Sequence, residues 1–272
     1  MTTQNSLNIP QLLKSHGLRP DKSLGQNFLI DELHLARIVQ AAGVGSGDEV
    51  LEVGAGLGSL TRLLAAAARR VVAVELDGAM LAVLRQVLVD VDNVEFVQGD
   101  ILQVEVASLF QSSGFLVVAN IPYYLTSNLI RHLLEAEPRP ARLALTIQRE
   151  VAQRACAQPP QMSLLSLSVQ LYGEPSIAHY IPAGAFYPAP KVDSALLIVD
   201  LYAIPRLPEG KIDAFFAMAK AAFSQKRKTL ANSLAALPGL KKAQAETRLE
   251  AAGIDPRRRP QTLSIEEWGK LL

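Results

Sequence analysis

The chain has 272 residues and a mass of 29.4 kDa, enough for one large domain or for a large domain and a small one. Its 49% hydrophobic content supports a substantial core, and no stretch approaches 18 uncharged apolar residues, so no membrane span is expected. The net charge of +1 hides an asymmetry: Met1–Ile204 holds 14 basic and 19 acidic residues, a net of −5, whereas Pro205–Leu272 holds 13 basic and 7 acidic, a net of +6.

In chain order, Met1 to Pro10 is polar and lacks a basic segment followed by an apolar block, so secretion is not expected. Helical periodicity follows near 31–42, 59–68, 79–89, 125–135 and 148–157. Between these helices, apolar runs at 49–53, 71–75, 94–97, 115–119 and 142–147 read as strands. Alternation of this kind predicts an α/β fold with a parallel sheet covered on both faces. Met162–Leu171 suits either a strand, through Leu165, Leu167, Val169 and Leu171, or a helix, through the adjacent Leu164 and Leu165. Ser194–Val199 reads as a strand, with Ser176–Ile181 as an antiparallel closing edge. Pro205–Gly210, with two prolines and a glycine, is the strongest linker signal. It divides the chain into an expected catalytic domain, 1–204, and an expected basic domain of about four helices, 205–272.

The strand ends carry the chemistry. Glu49–Val53 runs into Gly54-Ala55-Gly56-Leu57-Gly58, a turn in which Gly54 and Gly56 let the backbone pass close to a ligand. The next strand ends in Glu75 and Asp77, and Glu75 lies 21 positions beyond Gly54, near the offset of about 20 at which an acid meets ribose hydroxyls in Rossmann-like sites. A third strand ends in Gln98-Gly99-Asp100. A fourth delivers Asn120-Ile121-Pro122-Tyr123, which combines an amide acceptor, a proline without a backbone donor and an aromatic face. That set suits the grip on an exocyclic amino group of a flat base. The same residue types also make ordinary turns.

The remaining signals are quieter. Cys156 is the only cysteine, which excludes an intramolecular disulfide, fits a reducing compartment and reads as an inert thiol. His16, His34, His132 and His179 lack ligand spacing, and no metal is expected. Lys226-Arg227-Lys228, Lys241-Lys242 and Arg257-Arg258-Arg259 cluster in the basic tail and point to a polyanion contact rather than three solvated faces.

Assembled, these residues resemble the ribosomal RNA adenine N6,N6-dimethyltransferase family, of the type acting on small-subunit (16S) RNA. The resemblance runs over nearly the whole chain. It rests on Leu24–Leu29, Glu52–Gly58, Gly99-Asp100, Asn120–Tyr123, Gln148–Arg154, Phe186–Ser194, Phe223–Leu230 and Gly253–Thr262. It implies a Rossmann-like S-adenosylmethionine-dependent methyltransferase sheet with a small C-terminal all-helical domain, and a helix at 162–171. It places S-adenosylmethionine against Asn27, Leu29, Gly54, Gly56, Glu75, Asp100 and Asn120. Glu75 would accept from the ribose diol and Asp100 from the cofactor's adenine amine. Asn120, with the Pro122 or Ile121 carbonyl, would take the hydrogens of the target amine, while Tyr123 and Phe186 stack on the base. Lys226, Arg227, Lys228, Arg257, Arg258 and Arg259 would hold RNA. The resemblance implies a cytoplasmic, monomeric enzyme that dimethylates two adjacent adenosines near the 3′ end of the small-subunit RNA and takes part in subunit biogenesis. Ile121 stands where leucine is usual, and the same tetrapeptide occurs in erythromycin-resistance methyltransferases of large-subunit RNA. That substrate is one alternative. A non-catalytic RNA-binding assembly or transcription factor on the same fold is the other.

Overall fold

The computed structural model describes residues 7–21, 23–225, 227–237 and 239–272. Most of the polar start at Met1–Pro10, together with Lys226 and the Pro238 of the expected tail break, lies outside the described residues.

Helix α1 (Ile9–Ser15) starts where the Asn8 carboxamide accepts from Gln11 N–H and Pro10 occupies the first turn. Its Ile9 and Leu13 bury against Leu57, Met80 and Val83. There follow β1 (Phe28–Leu29), α2 (Glu32–Ala42), β2 (Glu49–Val53), α3 (Thr61–Ala67), β3 (Arg70–Glu75), α4 (Gly78–Val87) and β4 (Val94–Gln98). Next come α5 (Val106–Leu109), β5 (Leu116–Asn120), α6 (Thr126–Leu134), β6 (Arg142–Gln148), α7 (Arg149–Ala155) and α8 (Leu164–Tyr172). Strands β7 (Gly173–Ile181), β8 (Phe186–Tyr187) and β9 (Ser194–Leu201) complete the β structure. The tail contributes α9 (Glu209–Phe223), α10 (Leu230–Leu234), α11 (Lys242–Ala251) and α12 (Ile265–Gly269).

The seven-stranded sheet has the order β4-β3-β2-β5-β6-β9-β7. Strands β2 to β6 pair in parallel, and β9 is antiparallel to β6. Its central strands are buried on both faces, as Val50, Leu51, Val117, Val118, Leu143 and Leu145 illustrate, which is why they read as near-continuous apolar runs. Strand β2 has β3 on one side and β5 on the other, so the connections leave in opposite directions and a crevice opens at the carboxyl ends of β2 and β5. A second sheet of two short strands pairs Phe28 with Tyr187 and Leu29 with Phe186, carrying the segment before α2 to the segment before β9.

The chain forms two compact units, Met1–Ala152 with Ser176–Leu201, and Gln153–Pro175 with Tyr202–Leu272. The expected division into 1–204 and 205–272 is thereby corrected, because α8 belongs with the tail. Met162 N–H donates to the Gln261 carbonyl at 3.0 Å, and Tyr202 and Arg206 N–H groups donate to Tyr172 and Leu171 carbonyls at 2.9 Å each. The ambiguous 162–171 segment resolves as helix, opened by Ser163, whose hydroxyl accepts from Ser166 N–H.

Within the second unit, Leu230 N–H donates to the Arg258 carbonyl at 2.7 Å and Ala231 N–H to the Pro256 carbonyl at 3.2 Å. The loop at 255–259 therefore caps the start of α10 and sets two basic clusters side by side. Arg227, Lys228 and Arg259 are exposed, and Arg257 is exposed while paired with Asp255. Arg258 departs from the expected row of solvent-facing arginines. Its guanidinium bonds the Glu267 carboxylate and donates to the Thr262 hydroxyl at 3.1 Å, tying the loop to α12. Arg258→Gln should accordingly lower the melting temperature by about 2–4 °C, the shift for roughly 1 kcal/mol lost from a charge-assisted pair in a chain of this size. Arg257→Gln should leave it unchanged, and scanning calorimetry of both variants checks the contrast.

Candidate active site

The crevice at the β2/β5 switch holds a cavity of about 290 Å³, lined entirely by residues of the first unit. Asn27, Gly54, Gly56, Glu75, Asp100, Asn120, Pro122, Tyr123 and Phe186 all line it. Leu29 does not: its side chain is 3% exposed and packs in the core with Leu35, Ile38 and Phe186, while the neighbouring Phe28 faces the cavity.

The glycine turn after β2 is held by backbone bonds and by one acid. Gly56 sits at φ +57°, and a Cβ there would stand 3.0 Å from the Phe28 ring, so no larger residue fits without displacing that wall. The Glu75 carboxylate accepts from Gly56 N–H at 2.7 Å and from Asp77 N–H at 2.9 Å. It thus fixes the turn after β2 to the turn after β3, and each oxygen keeps a lone pair for a ligand. Burial pushes the Glu75 carboxyl above the ordinary carboxylate range. Asp77 caps α4 through Ala79 and Met80 N–H groups and accepts from the Gln26 side chain at 3.3 Å, which brings the 21–26 turn to the same edge. Asp100 accepts from Leu102 N–H at 3.0 Å, between the apolar Leu76, Ile101 and Leu102.

At the end of β5 the Asn120 side-chain amide donates to the Asn27 carbonyl at 2.9 Å, across 93 positions of sequence. That bond orients the amide and leaves the Asn120 Oδ1 as an acceptor for a ligand. The Pro122 carbonyl accepts from Leu125 N–H at 3.0 Å and opens a 3-10 turn over Tyr123–Leu125. The Tyr123 hydroxyl lies 2.8 Å from that of the buried Ser194 on β9, which sets the ring's orientation from below. Phe186 is 4% exposed and held by the β1/β8 pair, so it serves the core and the cavity wall at once.

Several contributors escape the sequence reading. Gln26 from a loop, Phe28 from β1, Tyr124 from the 3-10 turn and Asn128 from α6 all line the cavity, and none is among the expected site residues. Glu52, on β2, is 1% exposed and borders a small adjoining void with Gly54, Gly56 and Asn120. Its Oε2 has no hydrogen-bond partner. Burial, with the Glu75 charge adding to it, pushes its carboxyl up to about 8. The Glu-Val-Gly run at 52–54 was the available signal.

The ribosomal RNA adenine dimethylase family model matches residues 17–271. Ribosomal RNA small subunit methyltransferase A of Dehalococcoides mccartyi strain 195 is 43% identical over 265 residues, covering 96% of this chain and 90% of that protein. The protein of the same name from Moorella thermoacetica is 42% identical over 271 residues, covering 96% and 94%. Among solved structures, 23S rRNA methyltransferase ErmE superposes with a TM-score of 0.73 at 30% identity, covering 90% of this chain and 98% of that one. A dimethyladenosine transferase from Plasmodium falciparum superposes with a TM-score of 0.76 at 26% identity, covering 90% and 96%. The sheet order and the glycine turn at its switch point define an S-adenosylmethionine-dependent methyltransferase fold. The chain belongs to the ribosomal RNA adenine dimethylase family.

The residues present fit that cofactor. The turn at Gly54 and Gly56 leaves a Cβ-free passage, Glu75 and Asp100 present acceptors 25 positions apart on adjacent strand ends, and the buried Glu52 Oε2 lacks a partner beside the glycine turn.

Glu52 yields a pH prediction. Its folded-state pKa of about 8 exceeds the ordinary value of 4.5, so between those limits the folded chain holds a proton that the unfolded chain has released. Stability therefore falls as pH rises through that window. Glu52→Gln, which stays neutral throughout, should melt like the parent near pH 4.5 and several degrees higher at pH 8. Parallel melting curves across the range would show that Glu52 is already ionised in the fold.

Proposed function

We propose that this chain transfers methyl groups from S-adenosylmethionine to N6 of two adjacent adenosines near the 3′ end of small-subunit ribosomal RNA, giving N6,N6-dimethyladenosines, and that it contributes to small-subunit biogenesis. The observation that carries the reading is the committed amide of Asn120. One of its amide hydrogens is held by the Asn27 carbonyl, and the residue lines the cavity beside a proline with no N–H to compete.

An adenine amine is a poor nucleophile because its lone pair is delocalised into the ring. Asn120 Oδ1 accepts one amine hydrogen, and the Pro122 or Ile121 carbonyl accepts the second. With both hydrogens held, the nitrogen becomes more tetrahedral and its lone pair leaves conjugation. S-adenosylmethionine supplies the electrophilic methyl group when bound. Glu75 would accept from its ribose diol and Asp100 from its adenine amine, and Asn27 and the Gly54 turn would enclose the remainder, with Leu29 supporting them from the core. Tyr123 and Phe186 stack on the target base, a contact worth about 1–3 kcal/mol per base, and their faces favour the positive charge that develops on nitrogen. The amine proton then leaves to solvent. Positioning dominates the rate, and no general base is needed near the amine.

The second unit supplies an RNA surface in this reading. Arg227, Lys228, Arg257 and Arg259 form one exposed basic face through the loop that caps α10, with Lys226 in the same run and Arg258 supporting the loop from beneath. The enzyme acts as a cytoplasmic monomer on the assembling small subunit, a setting that suits a chain with a single cysteine.

Asn120→Ala should reduce single-turnover methylation of undermethylated small subunits by about 100- to 1,000-fold, the usual loss for one transition-state hydrogen bond. Cofactor affinity by calorimetry should change far less. Near-normal turnover would remove Asn120 from the chemistry, and primer-extension stops on the RNA product identify the methylated bases. Replacing Arg227, Lys228 and Arg259 with glutamine should weaken particle binding and flatten the log–log salt slope, by roughly 0.7–0.9 for each phosphate that the variant no longer neutralises. An unchanged slope would place the RNA contact elsewhere.

A further inference from the structure

Tyr124 is unused by the chemistry described above, yet its placement is specific. It lines the cavity lip with its ring 60% exposed, directly after the buried-side Tyr123. The two tyrosines occupy consecutive positions of a 3-10 turn, where neighbouring side chains diverge by about 120°. Tyr123 therefore points to Ser194 and Tyr124 points outward. The turn is fixed at both ends, by Leu125 N–H on the Pro122 carbonyl and by the Thr126 hydroxyl on the Tyr123 carbonyl. One side of the Tyr124 ring rests on Gly25. A Cβ at Gly25 would lie 3.3 Å from Cδ1 and 3.5 Å from Cε1, and its φ of +61° excludes most other residues in any case. The chain thus backs the ring with bare main chain and leaves the outer part of the ring in solvent.

A lone exposed tyrosine needs no explanation, but one with a supporting backbone ledge at the mouth of a base-binding cavity does. We propose that Tyr124 is a second stacking shelf, on which the nucleobase adjacent to the target adenosine rests while the target occupies the cavity. This rests on the reading of the cavity as the target-adenosine site and deepens it. Consecutive aromatic faces accommodate consecutive bases of a splayed single strand, because every base offers a π-face. The enzyme would then grip a dinucleotide, and with two adjacent adenosines as targets the base on the shelf is itself adenine for one of the two events.

The test uses reconstituted small subunits with both adenosines intact, or with one or the other replaced by an abasic residue. Against intact particles, Tyr124→Ala should raise KM roughly tenfold with kcat little changed, while Tyr124→Phe behaves as the parent. For the abasic substrate that lacks the base on the Tyr124 side, parent and Tyr124→Ala should have equal KM, since the shelf then has nothing to hold. A 2-aminopurine at that position should be quenched on binding by the parent and the Phe variant but not by the Ala variant. Equal KM values of parent and Ala variant on intact particles, or the same penalty on both abasic substrates as on intact ones, would overturn the shelf. Melting curves and cofactor affinity of the Ala variant should match the parent, and a large fall in either would mark Tyr124 as structural. A parent enzyme that methylates no intact particle would overturn the functional reading itself, a result distinct from the loss of the shelf alone.

Discussion

Everything at the site depends on the reversal of strand order at β2. Because β3 and β5 flank it, the chain leaves the carboxyl ends of β2 and β5 in opposite directions, and no connection covers the gap between them. A sheet that wound in one direction only would bury the same apolar surface and have no such opening. The reversal also decides which residues become chemistry: those at or just past the carboxyl ends of β2, β3, β4 and β5, namely Gly54, Glu75, Asp100 and Asn120.

The crevice alone would be a loose collection of turns. Two long-range contacts make it rigid. Glu75 joins the turn after β2 to the turn after β3 with two backbone bonds, and Asn120 joins β5 to the segment before β1. Each of these polar side chains faces the cavity while one part of it holds the protein together. Side chains that satisfy two such demands have little freedom to move, and this is the preorganisation that methyl transfer to a weak nucleophile requires.

The strands, their parallel arrangement and the strand-end residues that line the cavity were legible because buried parallel strands write themselves as apolar runs and the open edge follows from their ends. The contacts that depend on partners far along the chain were not. Two-residue strands such as Phe28–Leu29 and Phe186–Tyr187 carry no periodicity, so the core packing of Phe186, expected only as a stacking face, was not legible. Leu29, expected at the cofactor, packs behind the wall that Phe28 forms. Pro205–Gly210 looked like the division of the chain, whereas hydrogen bonds from Met162 and Tyr202 give α8 to the tail. Arg258 was indistinguishable by composition from its neighbours and differs only because Glu267 happens to face it.

The cap on α10 has a consequence for how the proposed RNA surface selects its partner. A free helix start offers N–H groups that bind a phosphate at a fixed position. Here the first two of these donors are consumed by the carbonyls of Arg258 and Pro256. What faces outward at this loop includes the long cationic side chains of Arg227, Lys228 and Arg259. Such a surface senses the density of negative charge more than the placement of any one phosphate. In the proposed function it would suit a folded RNA and would leave the choice of nucleotide to the cavity of the other unit.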